Sequence, residues 1–382
     1  MYTIREVINK IGLDRTVIGG FQIIEVQRER LYRHENIEMD VTESDGYVAA
    51  GVRFQWLKIV DNNKFGTLRA GVVRKNGIKV EYAKIEITIG EGLRGNLQNK
   101  TMEEYKRYIS DVFVYLEKEY GVKTDTEEVK FHSMEINVTI PLNEDFYRYH
   151  RVLQLMMFNL PNSFKKNQVM HNANKKEMRL ETETLQRSNE TTAVKIYDKK
   201  RQLAQTIRYE TDTEYMRIEF VLKNAQKIKE VFHTRLVCDI TDFMVNEFYM
   251  KQFRRLFVKP YRKWQEKNAV YLKKMIRDSK KKSLRYWKSN LIRECANREQ
   301  ADQIPILLDV KDLLIQVKAL DTAGHYKRTA DGIRKQCVKN DVFLQNDAEK
   351  VEEIFDRVYE AYAYDKGVAG LETSSGEMKN AV

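Results

Sequence analysis

The chain has 382 residues, of which 42% are hydrophobic and 32% are charged, and its formal net charge is +11. This length leaves room for roughly two or three domains, and the positive charge predicts a polyanionic partner, with a merely basic surface as the alternative. The three cysteines are far apart and form no CxxC pair, which argues against a structural zinc site and favours a reducing compartment. Because neither a signal-peptide core nor a run of about 18 apolar residues occurs, we expect a cytoplasmic protein outside the membrane.

The sequence pattern of the first part of the chain predicts strands followed by a helix. Thr101 and Glu104 form a capping-box pattern before an apolar stripe that ends at Gly121, which predicts a helix between them. The predicted strands, which alternate β-branched or aromatic residues with polar ones, are Phe21–Arg28, Gly51–Val60, Leu68–Arg74 and Ile78–Thr88.

Further strands and helices alternate up to about residue 238. Strands are predicted at Val129–Pro141 and Tyr215–Lys223, and a hairpin joins Arg179–Gln186 to Thr192–Tyr197. The polar segment Lys165–Lys176 is predicted to be a flexible loop. The predicted helices are Asp145–Leu160, Lys199–Thr206 and Asn224–Phe232.

The pattern changes to helices from about Asp239, including Leu307–Leu320 and Asp347–Ala363. We therefore predict an α+β protein: a domain with a mixed, mainly antiparallel sheet at residues 1–238, an all-α C-terminal domain at 239–366, and a disordered tail at 367–382.

Polar residues occupy strand positions where a buried strand favours apolar ones. They are Glu86, Glu135, Asn137, Arg217 and Glu219. Buried carboxylates and amides are costly unless they are paired or bound to a cation. The four oxygen donors among them suit Mg²⁺ or Mn²⁺ at a phosphate, and the arginine suits a phosphate oxygen. Local pairing, as between Arg217 and Glu219, is the alternative.

The segment VKIYDKKRQL, Val194–Leu203, contains Tyr197 followed by two lysines. A tyrosine hydroxyl attacks a phosphodiester and holds the broken DNA end, and Lys200 is predicted to offset the developing charge. The alternative is a structural tyrosine, since the chain has 21. Tyr215 and Tyr249 are the fallback nucleophiles.

A basic stretch between Lys251 and Lys288 holds fifteen lysines and arginines against Glu266 and Asp278. A solvated helix face is the alternative to a phosphate-binding surface, which the charge excess favours. The predicted DNA-binding residues are Lys259, Arg262, Lys263, Lys273, Lys274, Lys281 and Arg285.

The order of these segments resembles the gene II replication proteins of filamentous phages and their plasmid relatives. The resemblance covers about residues 54–232 and depends on four segments in order. They are KIEITIGEGLRGNLQN at Lys84–Asn99, HSMEINVT at His132–Thr139, the strand that contains Tyr197, and the Arg-Ile-Glu strand at Met216–Glu219. It implies a nickase-like fold for the sheet domain. No His-x-His metal motif occurs; His132 or His150 is a candidate for a single ligand.

The resemblance implies a rolling-circle replication initiator that nicks one strand at the origin and holds it through a 5′-phosphotyrosine at Tyr197. Origin DNA, single-stranded and duplex, is then the partner, with a host helicase as a further candidate. ATP use is not expected, because Glu91–Asn96 lacks the GK[ST] ending of a P-loop. A non-catalytic DNA-binding regulatory protein on the same scaffold is the alternative. A tyrosine recombinase, which needs an Arg…His-x-x-Arg…Tyr array, is disfavoured, because Arg151 and Arg235, beside His150 and His233, do not have that spacing.

Overall fold

A computed structural model describes residues 10–31, 33, 37–40, 54–63, 66–75, 78–88, 99–174, 179–207, 210–266 and 345–365, together with isolated positions between 270 and 335. The strands are β1 (Gly12–Gly19), β2 (Gln22–Val26), β3 (Ile37–Asp40), β4 (Phe54–Asn63), β5 (Gly66–Lys75), β6 (Ile78–Thr88), β7 (Val122–Asp125), β8 (Lys130–Leu142), β9 (Lys166–Asn174), β10 (Arg179–Ser188), β11 (Thr192–Asp198) and β12 (Glu214–Leu222). The helices are α1 (Arg28–Leu31), α2 (Met102–Tyr120), α3 (His150–Phe158), α4 (Lys199–Ile207), α5 (Ala225–Phe232), α6 (Asp242–Phe253) and α7 (Gln345–Asp365).

Ten of these strands form one sheet in the order β3-β4-β5-β6-β1-β8-β12-β11-β10-β9, and β2 and β7 form a separate pair. The pairs around its centre, β1–β6, β1–β8 and β11–β12, run antiparallel. Beyond residue 239, the described segments contain helices. The predicted α+β class, with a mainly antiparallel sheet and a helical C-terminal part, is confirmed.

The central strands have one apolar and one polar face, because successive side chains on a strand point to opposite sides. The apolar face is fully buried and includes Val194, Ile196, Ile136, Val138, Ile218 and Phe220. Helix α6 covers part of it: the Tyr249 ring lies 4.8 Å from that of Phe220, and the Tyr249 hydroxyl donates to the Ile218 carbonyl at 3.1 Å. The opposite face carries the polar residues of the candidate site.

Helix α2 begins and ends where the sequence predicts. The Thr101 hydroxyl accepts from the Glu104 amide, and the Glu104 carboxylate accepts from the Thr101 amide, so both halves of the capping box are present. Gly121 ends the helix in the left-handed conformation, with φ 65°. Its Tyr105 packs on Phe131 of β8 with ring centroids 5.7 Å apart, which anchors the helix to the sheet.

Strands β9, β1, β3 and β7 differ from the sequence prediction. Residues predicted as the loop Lys165–Lys176 instead form β9, an edge strand paired with β10. An edge strand is held by hydrogen bonds along one side and needs few apolar residues. The polar composition of β9 therefore led to the prediction of a loop. Strand β1, GLDRTVIG, was not predicted either. Its pairing with β8 is interrupted by a bulge between Leu13 and Thr16, which breaks the alternation that marks a strand.

By compactness the chain divides into two units. The first contains residues 1–140, 165–250 and 358–382, and the second contains residues 141–164 and 251–357. In the second unit, Phe253 and Tyr261 both pack edge-on against Phe355 at 5.6 Å. The domain boundary after residue 238 stays a prediction. No helix in the described ranges combines the length and the hydropathy needed to cross a bilayer.

Candidate active site

The candidate site lies in the first unit, around the end of β11. Tyr197 is the second-last residue of this strand. The last residue, Asp198, begins α4 by accepting from the Arg201 amide at 3.0 Å. Tyr197 lies directly across the ladder from Arg217, as Lys195 does from Glu219. Cross-strand neighbours on one face bring their side chains into contact, so the strand pairing itself assembles a tyrosine, two cations and a carboxylate.

The Tyr197 hydroxyl donates to Glu219 Oε1 at 2.7 Å, and the tyrosine is only 9% exposed. Burial, together with the negative charge of Glu219, raises the pKa of Tyr197 well above its ordinary value, although Arg217 acts in the opposite direction. The phenol therefore holds its proton in this arrangement, and the carboxylate of Glu219 is the group positioned to receive it.

Lys195 joins two carboxylates. Its ammonium lies 2.9 Å from Glu135 Oε1 and 3.3 Å from Glu219 Oε2. Burial lowers the pKa of Lys195, but the attraction of both carboxylates outweighs it and the net shift is upward. The pKa of Glu135 is raised to about 7, because burial and repulsion by Glu219 outweigh the attraction of Lys195.

Arg217 is 1% exposed and is held by two strands. Its Nε donates to Thr139 Oγ1 of β8 at 2.8 Å, and its Nη1 lies 2.7 Å from Asp14 Oδ2 of β1. Burial lowers its pKa, but Tyr197, Asp14 and Glu219 together raise it further. The guanidinium is thus fixed in orientation beside Tyr197, ready to stabilise a phenolate or a phosphate oxygen.

The two lysines after Tyr197 differ sharply in environment. Lys200, the predicted charge-offsetting residue, forms an ion pair with Glu214 at 2.6 Å and keeps 30% of its side chain exposed. Lys199 is 1% exposed, and its ammonium donates to the neutral Gln202 Oε1 at 2.7 Å. Burial and the positive charge of Arg217 lower the pKa of Lys199 to about 7, although Asp14 and Glu219 oppose this shift.

The structure brings together some of the predicted metal ligands. Glu135 and Asn137 share a face of β8, and Glu135 reaches Glu219 through Lys195. Glu86 lies on β6, opposite Val17 of β1 and Arg69 of β5.

These ligands do not form a metal centre in this arrangement. The Lys195 ammonium occupies the position between the two carboxylates, and no three His, Cys, Asp or Glu side chains in the described part of the chain are placed to hold a metal ion. The residues therefore do not fit Mg²⁺ or Mn²⁺ while Lys195 stays in place.

Asn137 is fully buried, and neither polar atom of its side chain has a hydrogen-bond partner among the described residues. A buried amide without partners is costly. It lies on β8 between Glu135 and Thr139, on the face that carries the site. The role of Asn137 in the site stays a prediction.

Sequence reasoning missed Asp14, Thr139, Lys195 and Lys199. Lys195 and Tyr197 are spaced two apart on β11, and that spacing alone indicates a shared face. Lys199 is the first residue of α4, where this alternation does not apply. No comparable signal marks Asp14, because its strand is bulged and contacts β8 from far away in the sequence.

The remaining candidates lie on β12, α6, β8 and α3. Tyr215 is buried on β12, and the Tyr249 hydroxyl is bonded to a backbone carbonyl under the apolar face. His132 lies on β8, and the His150 ring is bonded to Gln154 at 2.7 Å.

Three of the predicted DNA-binding residues are described. Lys259 and Lys263 are exposed, whereas Arg262 forms two bonds of 2.5 and 2.6 Å with Glu352. Lys273, Lys274, Lys281 and Arg285 lie outside the described residues.

Comparison with known proteins finds a likeness among solved structures. No family model matches the chain, and no curated protein matches it. A solved structure of a rolling-circle replication initiator protein from Geobacillus stearothermophilus is similar over 65% of this chain and 85% of its own, with 15% sequence identity and a TM-score of 0.37. A TM-score this low supports no inference about activity, so a functional proposal has to come from the residues.

Proposed function

We propose that this protein is a replication initiator that nicks and rejoins single-stranded DNA through Tyr197. The observation that carries the proposal is the hydroxyl of Tyr197, bonded at 2.7 Å to Glu219 with Arg217 directly across the ladder. A nucleophile, a proton acceptor and a fixed cation are the three parts that a tyrosine transesterase needs. The ordered resemblance to gene II replication proteins supplies the substrate class.

The proposed reaction is a transesterification. The oxygen of Tyr197 attacks the scissile phosphorus as its proton passes to Glu219, and the bond from phosphorus to the 3′ oxygen breaks. The leaving oxygen takes up a proton, and the 5′ end stays on the tyrosine as a phosphodiester. Because that bond keeps the energy of the broken linkage, the reverse reaction rejoins the strand without ATP.

The cations have separate roles in this proposal. Arg217 lies beside the phenol and offsets the charge that develops on the phenolate and on phosphorus. Lys195 neutralises Glu135 and Glu219 and so lets two carboxylates lie close together. Lys200, paired with Glu214, and Lys199 are the two candidates for the lysine that offsets the charge developing at the phosphate.

The requirement for Mg²⁺ or Mn²⁺ stays a prediction, with Glu135, Asn137, Glu219 and Glu86 as its proposed ligands. When bound, such an ion would polarise the scissile phosphate. Release of Lys195 from the two carboxylates is the change that binding would need. Calorimetric titration with Mn²⁺ tests this directly, and Lys195→Met is expected to increase the affinity by removing the competing charge.

The partners are part of the same proposal. Origin DNA, single-stranded and duplex, is the substrate and a host helicase is a further partner; the protein is proposed to be cytoplasmic, to need no ATP and to avoid the membrane. The basic helical part, including Lys259 and Lys263, is proposed to bind the DNA backbone.

A second candidate function is a non-catalytic DNA-binding regulatory protein. The observation that favours it is the enclosure of Tyr197, which is 9% exposed and holds its proton firmly. In that case the tyrosine and Glu219 serve only to satisfy each other inside the sheet.

The deciding experiment is covalent capture on a random pool of labelled single-stranded DNA with Mn²⁺. We expect a protein–DNA adduct that survives denaturation, with the DNA attached to the Tyr197 peptide by mass spectrometry, and sequencing of the captured strands then gives the nick site. Tyr197→Phe should abolish the adduct while the variant stays folded.

Tyr215→Phe and Tyr249→Phe are the matched controls, since each removes one buried hydroxyl from the same unit. Both should keep the adduct. An adduct that persists in Tyr197→Phe sinks the assignment of the nucleophile. Complete lack of an adduct, together with retained DNA binding, favours the regulatory alternative.

A further inference from the structure

The two adjacent lysines at the start of α4 differ in burial and in bonding partner. Lys200 has a carboxylate partner, Glu214, at 2.6 Å. Lys199 has no carboxylate within ion-pair distance among the described residues, and its ammonium donates to the Gln202 side chain. A buried lysine without an acidic partner is an unusual and costly arrangement. It points to a negative charge that is supplied from outside the protein.

Lys199 follows Tyr197 by two residues, at the point where β11 gives way to α4. The charged groups that act on Lys199 are Arg217, Asp14 and Glu219. Those three groups also act on Tyr197. The lysine and the tyrosine therefore share one electrostatic environment.

We infer that Lys199, and not Lys200, is the lysine that contacts the scissile phosphate beside Tyr197. This inference rests on the proposed function and deepens it, because it assigns the phosphate contact to a residue that the sequence did not single out.

The charge balance of the site explains how Lys199 acts. Its environment supplies Arg217 as a like charge, Asp14 and Glu219 as opposite charges, and Gln202 as a neutral acceptor. With its pKa near 7, Lys199 is partly uncharged at neutral pH. A phosphodiester that enters the site brings a negative charge, so the amine takes up a proton from water and becomes an ammonium. The positive charge then appears only when the substrate is present.

The first test measures this proton directly and needs no nicking activity. Full-length Tyr197→Phe protein, labelled with ¹³C at the lysine Cε, is titrated by NMR with and without an oligothymidylate strand. Lys199→Arg and Lys200→Arg spectra assign the two signals. We expect Lys199 to titrate near neutral pH and to shift upward when DNA binds, while Lys200 does neither. A Lys199 that titrates like the exposed lysines, or does not respond to bound DNA, overturns the inference.

The second test compares adduct formation in matched variants. Lys199→Met should slow it at least tenfold and flatten its dependence on pH near 7, whereas Lys200→Met should stay within about twofold of the parent. Lys199→Arg should recover part of the rate without the pH dependence, because arginine stays charged. The opposite ranking assigns the role to Lys200. If neither the parent nor any variant forms an adduct, the proposed function fails. The NMR titration still shows whether the pKa of Lys199 responds to bound DNA.

Discussion

At the residue scale, the site depends on charges that are buried in pairs. The guanidinium of Arg217 is 1% exposed and its carboxylate partner is Asp14. Taking two charges out of water costs more than their attraction returns unless the geometry is good, and removing one partner leaves the other unpaired. The pair therefore makes the fold depend on a contact between β1 and β12, strands on either side of β8.

The Asp14–Arg217 pair gives the first prediction. Asp14→Ala should lower the free energy of unfolding by about 3 kcal/mol, because it leaves a buried guanidinium without its carboxylate. Urea denaturation measures the loss. Asp212→Ala, at an exposed aspartate, is the control and should change stability by less than about 0.5 kcal/mol. An equal effect of both substitutions would contradict the buried-pair explanation.

Asn137 gives the second prediction. Asn137→Leu should raise the free energy of unfolding by about 1–2 kcal/mol, because it replaces a buried amide without partners by an apolar side chain of similar size. Urea denaturation again measures the change, and the adduct assay is run beside it. Greater stability together with lost adduct formation indicates that the chain keeps Asn137 for the reaction. Lower stability shows that the amide has a structural partner.

Lys199 gives the third prediction, a dependence of stability on pH. Its folded pKa, about 7, lies below the unfolded value of 10.5, so between these pH values the unfolded chain binds more protons than the folded one. Stability therefore rises with pH through this window, and the cost of burying the charge is greatest below pH 7. Lys199→Met should remove this rise, and Lys200→Met should keep it. Urea midpoints at pH 7, 8 and 9 measure the slope.

Sequence reasoning found some of these residues and not others, for a physical reason. Glu135, Arg217 and Glu219 were predicted because each is polar on a strand that is otherwise apolar. Tyr197 was predicted because two lysines follow it in a segment that resembles the nicking strand of gene II replication proteins. Asp14 was missed because it reaches the site through a bulged strand that is distant in sequence. Which of two adjacent lysines faces the site depends on the exact residue at which β11 gives way to α4, and sequence patterns do not fix such boundaries.

At the element scale, local signals were reliable where a whole pattern agreed. Helix α2 has its capping box, its apolar stripe and its terminal glycine in the expected positions, and all of these act within one or two turns. Local signals did not predict strand β9, because an edge strand is defined by the strand it pairs with and not by its own composition. The sheet order, with β1 between β6 and β8, also depends on contacts between distant parts of the chain.

The capping box gives the fourth prediction. Thr101→Ala should lower the free energy of unfolding by about 1 kcal/mol, since the amide of Glu104 loses its acceptor. Thr101→Ser keeps a hydroxyl at the same position and should retain most of that stability. Thermal or urea unfolding measures both variants. A loss in the serine variant that matches the alanine variant would mean that packing of the threonine methyl, and not the cap, holds the helix.

At the scale of the whole molecule, the net charge of +11 is concentrated in the helical part, from which only some residues are described. Lys259 and Lys263 are exposed and four residues apart, so they lie on one side of their helix. Arg262 is different, because Glu352 holds its guanidinium through two bonds. The excess of lysine and arginine thus contains both exposed cations suited to DNA and a cation that contacts α7.

This division gives the last prediction, which concerns salt. Each phosphate contact contributes a slope of about −0.9 to the dependence of log affinity on log salt for duplex DNA. The double variant Lys259→Gln with Lys263→Gln should make that slope shallower by about 1.8, without a change in melting temperature. Arg262→Gln should leave the slope unchanged and lower the melting temperature, because it breaks the contact with Glu352. Fluorescence anisotropy across a salt series measures the slopes, and a shallower slope in Arg262→Gln at unchanged stability would place that arginine on the DNA instead.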